Sequence, residues 1–120
     1  MRKILIVDDE PNIVMTLEYA FKKNNFEVYI ARDGSEALQI LEKNTPDVVL
    51  LDIMMPNVDG YETLKHIKKN PSLDDTKVIF ITAKNKASDI DKGFILGADS
   101  YITKPFSIKK LILEVQTLLG

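Results

Sequence analysis

The chain has 120 residues, 45% of them hydrophobic, which suits one domain with a sizeable core. Its 16 Lys and Arg residues against 18 Asp and Glu residues give a formal net charge of -2, which argues against nucleic-acid binding by charge. The absence of cysteine excludes disulfides and thiolate metal sites.

The N-terminus and the apolar runs indicate where the chain resides. The opening MRKILIVDDE is too short and too acidic for a signal peptide, and no apolar stretch approaches the length of a membrane span. We therefore predict a cytoplasmic domain over residues 1–120 that contacts no membrane, with any further domain lying past Gly120.

Five apolar runs predict β-strands, and they alternate with five segments of helical period. The strands are predicted at residues 3–7, 27–31, 48–51, 78–81 and 100–102. The first helix carries Pro11 in its first turn and ends at Asn24-Asn25. The others are predicted at 35–43, after the turn Asp59-Gly60, at 87–96 and at 107–119. The fourth helix has only Ile90 and Phe94 as strong apolar anchors.

Strict alternation of apolar strands with helices predicts an α/β fold, a doubly wound parallel sheet covered by helices on both faces. Right-handed crossovers bring the carboxyl ends of all strands to one edge, where such sheets bind ligands. Five polar residues lie at or just past those ends, namely Asp8, Asp9, Asp52, Thr82 and Lys104. We expect them to form one site.

The chemistry of these side chains favours a metal and a phosphoryl group. Two carboxylates about 4 Å apart repel by roughly 4 kcal/mol at an effective dielectric near 20, so three acids require a compensating cation. Lys104 supplies one positive charge, and oxygen ligands favour Mg²⁺, with Mn²⁺ as a substitute. A carboxylate can accept a phosphoryl group, and Asp52 ends the most apolar strand. The Thr82 hydroxyl would donate a hydrogen bond to a phosphoryl oxygen, and the small side chain of Ala83 leaves room for the incoming group.

Each residue taken singly also has a plainer interpretation. Asp8 or Asp9 could cap the first helix before Pro11, and Asp52 could open the turn after its strand. Tyr101, in an apolar strand, could belong to the core. Thr82 taken singly could be an ordinary strand residue, and Lys104 a solvated surface charge. The prediction of a site therefore depends on their occurring together at one edge.

Several segments, in order along nearly the whole chain, resemble the receiver domain of two-component response regulators. They are ILIVDDEP, ARDGSEAL, PDVVLLDIMMPNVDGYE, FITA and LGADSYITKPF. The resemblance implies a flavodoxin-like (βα)5 fold with the strand order 2-1-3-4-5. It also implies that Asp52 accepts phosphate from a sensor histidine kinase or a histidine phosphotransfer protein, and that the domain has no turnover substrate of its own.

The same resemblance implies roles for the residues around Asp52. Asp9, Asp52 and the backbone carbonyl of Met54 are implied as direct Mg²⁺ ligands, with Asp8 reaching the ion through water. Lys104 is implied to bond Asp52 or its phosphate. The Lys104-Pro105 peptide bond is implied to be cis.

Thr82 and Tyr101 resemble the switch pair of the family, in which the hydroxyl moves toward phosphate and the ring turns inward. The implied readout is the face of the fourth helix, last strand and last helix, which controls an output domain or protein and can dimerise on phosphorylation. Asp99-Ser100 and the long connection KKNPSLDDTKV depart from regulators with a winged-helix DNA-binding domain.

Two other function classes are compatible with parts of this pattern. A Mg²⁺-dependent phosphatase with an aspartyl intermediate would require a second acid two residues after the nucleophile, where this chain has Met54. A receiver-like binding module that ignores phosphate usually lacks an acid or the lysine, and here none is missing. A phosphate-binding GxxxxGK[ST] loop is absent from the sequence.

Overall fold

The computed structural model describes all residues from 1 to 120, which form one five-stranded sheet with helices on both faces. The strands are β1 (Arg2–Val7), β2 (Phe26–Ala31), β3 (Val48–Leu51), β4 (Lys77–Thr82) and β5 (Ser100–Thr103). The helices are α1 (Pro11–Lys23), α2 (Gly34–Lys43), α3 (Gly60–Lys68), α4 (Ala87–Ile95) and α5 (Ile108–Leu119), with a 3-10 turn at Pro71–Leu73.

All strand pairs are parallel, and the order β2-β1-β3-β4-β5 confirms the predicted fold. The central strand is β3, and all its residues are buried. Val7 of β1 pairs with Leu51 of β3, and the Asp52 N–H donates to the Val7 carbonyl at 3.0 Å. Asp8 and Asp52, the residues that follow this pair, therefore leave the sheet side by side.

The sheet separates two hydrophobic clusters because side chains alternate between its faces. Leu5 and Val7 of β1 belong to the cluster under α2 and α3, whereas Ile4 and Ile6 belong to the cluster under α1 and α5. No helix combines the length and the apolar character that crossing a membrane requires.

The helix ends lie within about a residue of their predicted positions, because the capping residues are only half helical. The side chain of Asp33 accepts from the Glu36 N–H, so α2 begins one residue before the prediction. Ser107 likewise caps α5 instead of opening it. The unpredicted 3-10 turn is held by the buried side chain of Leu73.

The prediction that Phe94 anchors α4 is wrong in part. Phe94 is 48% exposed, Ile90 is half-buried, and the one buried residue of α4 is Gly93. A Cβ atom on Gly93 would lie 3.0 Å from Cδ2 of Tyr101 and 3.1 Å from Cδ2 of Phe80. The helix is therefore seated by close backbone approach to two aromatic rings instead of by a large side chain.

Candidate functional site

Lys104 is the centre of a cluster of charged groups at the carboxyl edge of the sheet. Its Nζ atom donates to Asp8 Oδ2 at 3.0 Å, to Glu10 Oε1 at 2.9 Å and to Asp52 Oδ2 at 3.2 Å. The side chains of Asp8 and Asp52 are each 4% exposed, and that of Lys104 is 12% exposed. Residues from the ends of β1, β3 and β5 thus meet, as the sequence predicts.

The turn after each strand fixes the direction of its buried acid. Asp8 Oδ1 accepts from the Glu10 N–H at 2.9 Å, and Asp52 Oδ1 accepts from the Met54 N–H at 3.2 Å. Each carboxylate therefore uses one oxygen for its own turn and the other for Lys104. Asp52 does open a turn, but it serves the charged cluster at the same time.

Neither Asp8 nor Asp9 caps α1. The N-cap residue is Glu10, whose side chain makes no capping hydrogen bond, and Pro11 opens the helix. The alternative in which these acids serve only the helix end is therefore wrong. Pro11 itself lacks the N–H group that a cap would otherwise satisfy.

The electrostatics of the cluster keep its lysine charged. Burial disfavours the ammonium form, but hydrogen bonds with Glu10 and Asp8 outweigh that effect and raise the pKa of Lys104. Burial raises the pKa of Asp8 above its usual value, against the hydrogen bonds from Glu10 and Lys104. Three acids around one ammonium leave an excess of negative charge that a cation would neutralise.

The acidic oxygens are close enough to share such a cation. One carboxylate oxygen from each of Asp8, Glu10 and Asp52 lies within 4.8 Å of the others. A set of hard oxygen donors without histidine or cysteine suits Mg²⁺ or Mn²⁺. The chemistry of the donors therefore fits the divalent ion that the sequence predicts.

Glu10 is a member of this cluster that sequence reasoning missed. The signal was present, since Glu10 is the third acid of the run DDEP directly after β1. It was concealed by the adjacent Asp8-Asp9 pair, which carries the resemblance to known receivers.

The remaining predicted site residues form the rim. Asp9 and Ala83 are exposed, as is the side chain of Met54, and Asp9 lies outside the group of clustered acids. The Lys104-Pro105 peptide bond is cis. These exposed residues surround the buried Asp52 carboxylate.

Thr82 and Tyr101 both contact the backbone of Lys84. Thr82 is fully buried, and its Oγ1 accepts from the Lys84 N–H at 3.4 Å. The Tyr101 hydroxyl donates to the Lys84 carbonyl at 2.8 Å. The loop between β4 and α4 therefore joins the two predicted switch residues.

An open groove of about 500 Å³ adjoins the site between α1 and the start of α5. Ile13, Phe106 and Ile108 give it apolar walls, and Glu10 and Lys104 lie at its end. The groove therefore shares Glu10 and Lys104 with the charged cluster.

Comparisons with known proteins agree with this geometry. A family model described as the response regulator receiver domain matches residues 4–116. A Francisella response regulator 1452 receiver domain is 35% identical, with 99% of this chain and 97% of that chain covered and a TM-score of 0.91. Vibrio cholerae chemotaxis protein CheY4 is 29% identical, with 98% of each chain covered and a TM-score of 0.92.

A third similar structure shows that this type of domain occurs in more than one kind of protein. It is the signal receiver domain of a signal transduction histidine kinase from Syntrophus aciditrophicus, which is 32% identical. The match covers 99% of this chain and 90% of that chain with a TM-score of 0.91.

Proposed function

The chain belongs to the response regulator receiver domain family, and on that premise we propose that Asp52 is its phosphoacceptor in a two-component system. The observation that carries this proposal is the Asp52 carboxylate, which is buried at the open end of the central strand. It lies 3.2 Å from the Lys104 ammonium, and oxygens of two further acids are within 4.8 Å. The donor is a sensor histidine kinase or a histidine phosphotransfer protein.

The proposed reaction moves one phosphoryl group between two side chains. An oxygen of the Asp52 carboxylate forms a bond to phosphorus while the phosphorus–nitrogen bond of the donor phosphohistidine breaks. The electron pair of that bond stays on the imidazole nitrogen, which then takes a proton from solvent. The product is an acyl phosphate on Asp52. Attack of water on phosphorus later restores the carboxylate and releases inorganic phosphate, so the domain turns over no separate substrate.

Catalysis of such a transfer consists mainly of positioning and charge neutralisation. The Lys104 ammonium neutralises charge on the phosphoryl oxygens, and the Thr82 hydroxyl donates a hydrogen bond to one of them. Ala83 has no long side chain to obstruct the incoming group. Thr82 ends β4, Ala83 follows it and Lys104 follows β5, so the sheet edge holds these residues in place before the donor arrives.

A divalent ion would be held by Asp9, Asp52 and the Met54 carbonyl, with Asp8 acting through water. When bound, Mg²⁺ or Mn²⁺ supplies positive charge to the oxygens of the transferred group. The Asp8 and Asp52 carboxylates are already oriented by hydrogen bonds within their turns. The exposed Asp9 lies outside the clustered acids and would have to turn inward to bind the ion.

The groove between α1 and α5 suits the approach of the donor. Its apolar walls at Ile13, Phe106 and Ile108 match the kind of surface that an amphipathic partner helix presents. Its lining includes Lys104, whose Nζ lies 3.2 Å from Asp52 Oδ2, so a histidine on such a helix would come near the acceptor.

The signal is the change of charge and hydrogen bonding at Asp52. Phosphorylation adds about -1.5 to -2 charge and strong acceptor oxygens. When Thr82 turns toward these oxygens, it leaves the Lys84 N–H, and the Tyr101 contact with the same residue changes with it. The face of α4, β5 and α5 transmits the change to an output domain, a partner protein or a second copy.

Phosphorylation of the purified protein tests this function. We expect acetyl phosphate with Mg²⁺ to add one phosphate, detected by intact-mass analysis, and Asp52→Asn to add none. In this reaction the phosphorus–oxygen bond of acetyl phosphate breaks and acetate leaves. Asp75→Asn is the matched control, because Asp75 is exposed and precedes β4 at the opposite edge. An unmodified wild type, or an equal adduct on Asp52→Asn, would contradict the proposal.

A further inference from the structure

The ammonium group of Lys104 has no unused donor. A protonated lysine carries three N–H groups, and here three carboxylates accept from it at 2.9 to 3.2 Å. A phosphoryl oxygen on Asp52 can therefore gain a hydrogen bond from Lys104 only if a present partner gives one up.

The two partners other than Asp52 are held very differently. Asp8 has a side chain that is 4% exposed, and its second oxygen accepts from the Glu10 N–H. The Glu10 side chain is 57% exposed, and its contact with Lys104 is its only hydrogen bond. Removing a partner from a buried carboxylate leaves an uncompensated charge, whereas an exposed carboxylate is solvated again by water.

The backbone of Glu10 is fixed although its side chain is free to turn. Its N–H donates to Asp8, its carbonyl accepts from the Val14 N–H at 3.1 Å, and its side chain makes no capping bond. A rotation of the side chain alone would thus release Lys104, with no movement of β1 or α1.

We propose that Glu10 is a positioning residue that occupies the third donor of Lys104 in the unmodified domain and is displaced by the phosphoryl group. This inference rests on the proposed phosphoacceptor role of Asp52. Glu10 holds the ammonium beside Asp52 before transfer, and it opposes the modified state because it competes for the same N–H group. With Asp8 and the unmodified oxygen of Asp52 kept as acceptors, Lys104 still makes three hydrogen bonds, since one phosphoryl oxygen replaces one oxygen of Glu10.

Two substitutions separate the contact from the charge. Glu10→Gln removes the charge at nearly constant shape. Glu10→Asp keeps the charge but shortens the side chain by about 1.5 Å, the length of one carbon–carbon bond, and aspartate at this position favours capping the helix instead. The amide oxygen of the Glu10→Gln variant can still accept from Lys104, but without the strength of a charge-assisted hydrogen bond. If the charged contact matters, both variants therefore weaken the competition; if charge alone matters, only Glu10→Gln does.

The readout is the binding of beryllium fluoride, which mimics a phosphoryl group on a carboxylate, to Mg²⁺-saturated protein. We expect amide NMR titration to show binding tighter by about 2- to 5-fold in both variants, the range of an ion pair with one exposed partner. Thermal unfolding in the absence of fluoride checks that every variant folds, and Mg²⁺ affinity is measured separately.

The outcomes distinguish this inference from the function on which it depends. If neither the wild type nor any variant binds beryllium fluoride at Asp52, the phosphoacceptor role fails and the role of Glu10 fails with it. If the wild type binds and both variants bind equally, the role of Glu10 alone is overturned. Tighter binding by Glu10→Gln only, or weaker Mg²⁺ and fluoride binding by both variants, also overturns it, the latter indicating a metal ligand.

Discussion

Asp8 and Asp52 show how single residues at this edge combine two roles. Each has one oxygen bound to a backbone N–H of its own turn and the other to Lys104. The turn contact is what an isolated aspartate would make, and the lysine contact exists only because three strands end together. Losing the Lys104 ammonium would leave two buried carboxylates facing each other, which is strongly destabilising.

Tyr101 is the residue for which the environment predicts a pH effect. Its hydroxyl donates to the Lys84 carbonyl, and burial raises the pKa of Tyr101 from 10.0 to about 12. Because the folded value lies above the unfolded value, the folded state binds more protons between these two values. The contribution to stability is therefore complete below pH 10 and is lost as the pH rises toward about 12.

We expect the free energy of unfolding of the wild type to fall more steeply over that alkaline range than that of Tyr101→Phe. Urea unfolding at a series of pH values measures the two slopes. Tyr19→Phe is the matched control, because Tyr19 is exposed on α1. The pKa of Tyr61 is also raised, but Tyr61 is present in all three proteins, so its effect on stability cancels in the comparison. Parallel slopes for the wild type and Tyr101→Phe would contradict the prediction.

At the scale of elements, α4 differs from the other helices in how little of it is buried. Gly93 is its one buried residue, and Ile95 is 82% exposed. It contacts α3 through Tyr61, whose hydroxyl donates to the Asp89 carbonyl at 3.2 Å and whose ring centroid lies 4.3 Å from Lys92 Nζ. An element with few buried contacts shifts at low cost, which supports α4 as the moving part of the proposed switch.

Gly93→Ala tests whether close packing seats this helix. Helix propensity alone would stabilise the variant by up to about 1 kcal/mol. The added Cβ would lie 3.0 Å from the Tyr101 ring and 3.1 Å from the Phe80 ring, and Phe80 is fully buried and cannot yield. Overpacking costs about 1–3 kcal/mol. We therefore expect a net loss of about 1 kcal/mol in urea unfolding.

The control for this substitution is Ile95→Ala, on the exposed side of α4. Its expected change is within about 0.5 kcal/mol, as for most surface substitutions. A Gly93→Ala variant more stable than the wild type would show that Tyr101 moves away without cost. It would contradict the inference that close packing at Gly93 positions α4.

At the scale of the whole molecule, the site exists only when the chain is folded. Lys104 is separated by 96 residues from Asp8 and by 52 from Asp52. These residues meet because β1, β3, β4 and β5 are parallel neighbours. A ligand of the assembled site therefore binds the folded state and not the unfolded chain, so binding is linked to global stability.

Mg²⁺ is expected to stabilise the wild type against urea by about 1–2 kcal/mol at roughly ten to thirty times its dissociation constant. Asp52→Asn should lose most of this gain, because it removes a charged oxygen from the centre of the site. Unfolding with MgCl₂ is compared with unfolding in NaCl of equal ionic strength, which controls for screening. An equal gain for both proteins would place the ion elsewhere.

The order of the elements, the two faces of the sheet and the edge at which the polar residues gather were all predictable from the residue pattern. The alternation of buried runs with helical periods leaves few other arrangements, and parallel connections put all carboxyl ends on one side. The meeting of Asp8, Asp52 and Lys104 was predictable for that reason, since each directly follows a strand.

The folded arrangement was needed to learn which neighbouring groups complete the cluster and which helix has few buried contacts. Glu10 reaches Lys104 while Asp9 turns outward, because the backbone path after β1 sets where each side chain points. Phe94 is large and apolar, as a core residue would be, but it is half exposed, since Gly93 is the residue that packs against Phe80 and Tyr101. Such choices depend on distances of a few ångströms between segments remote in the chain, which local patterns do not encode.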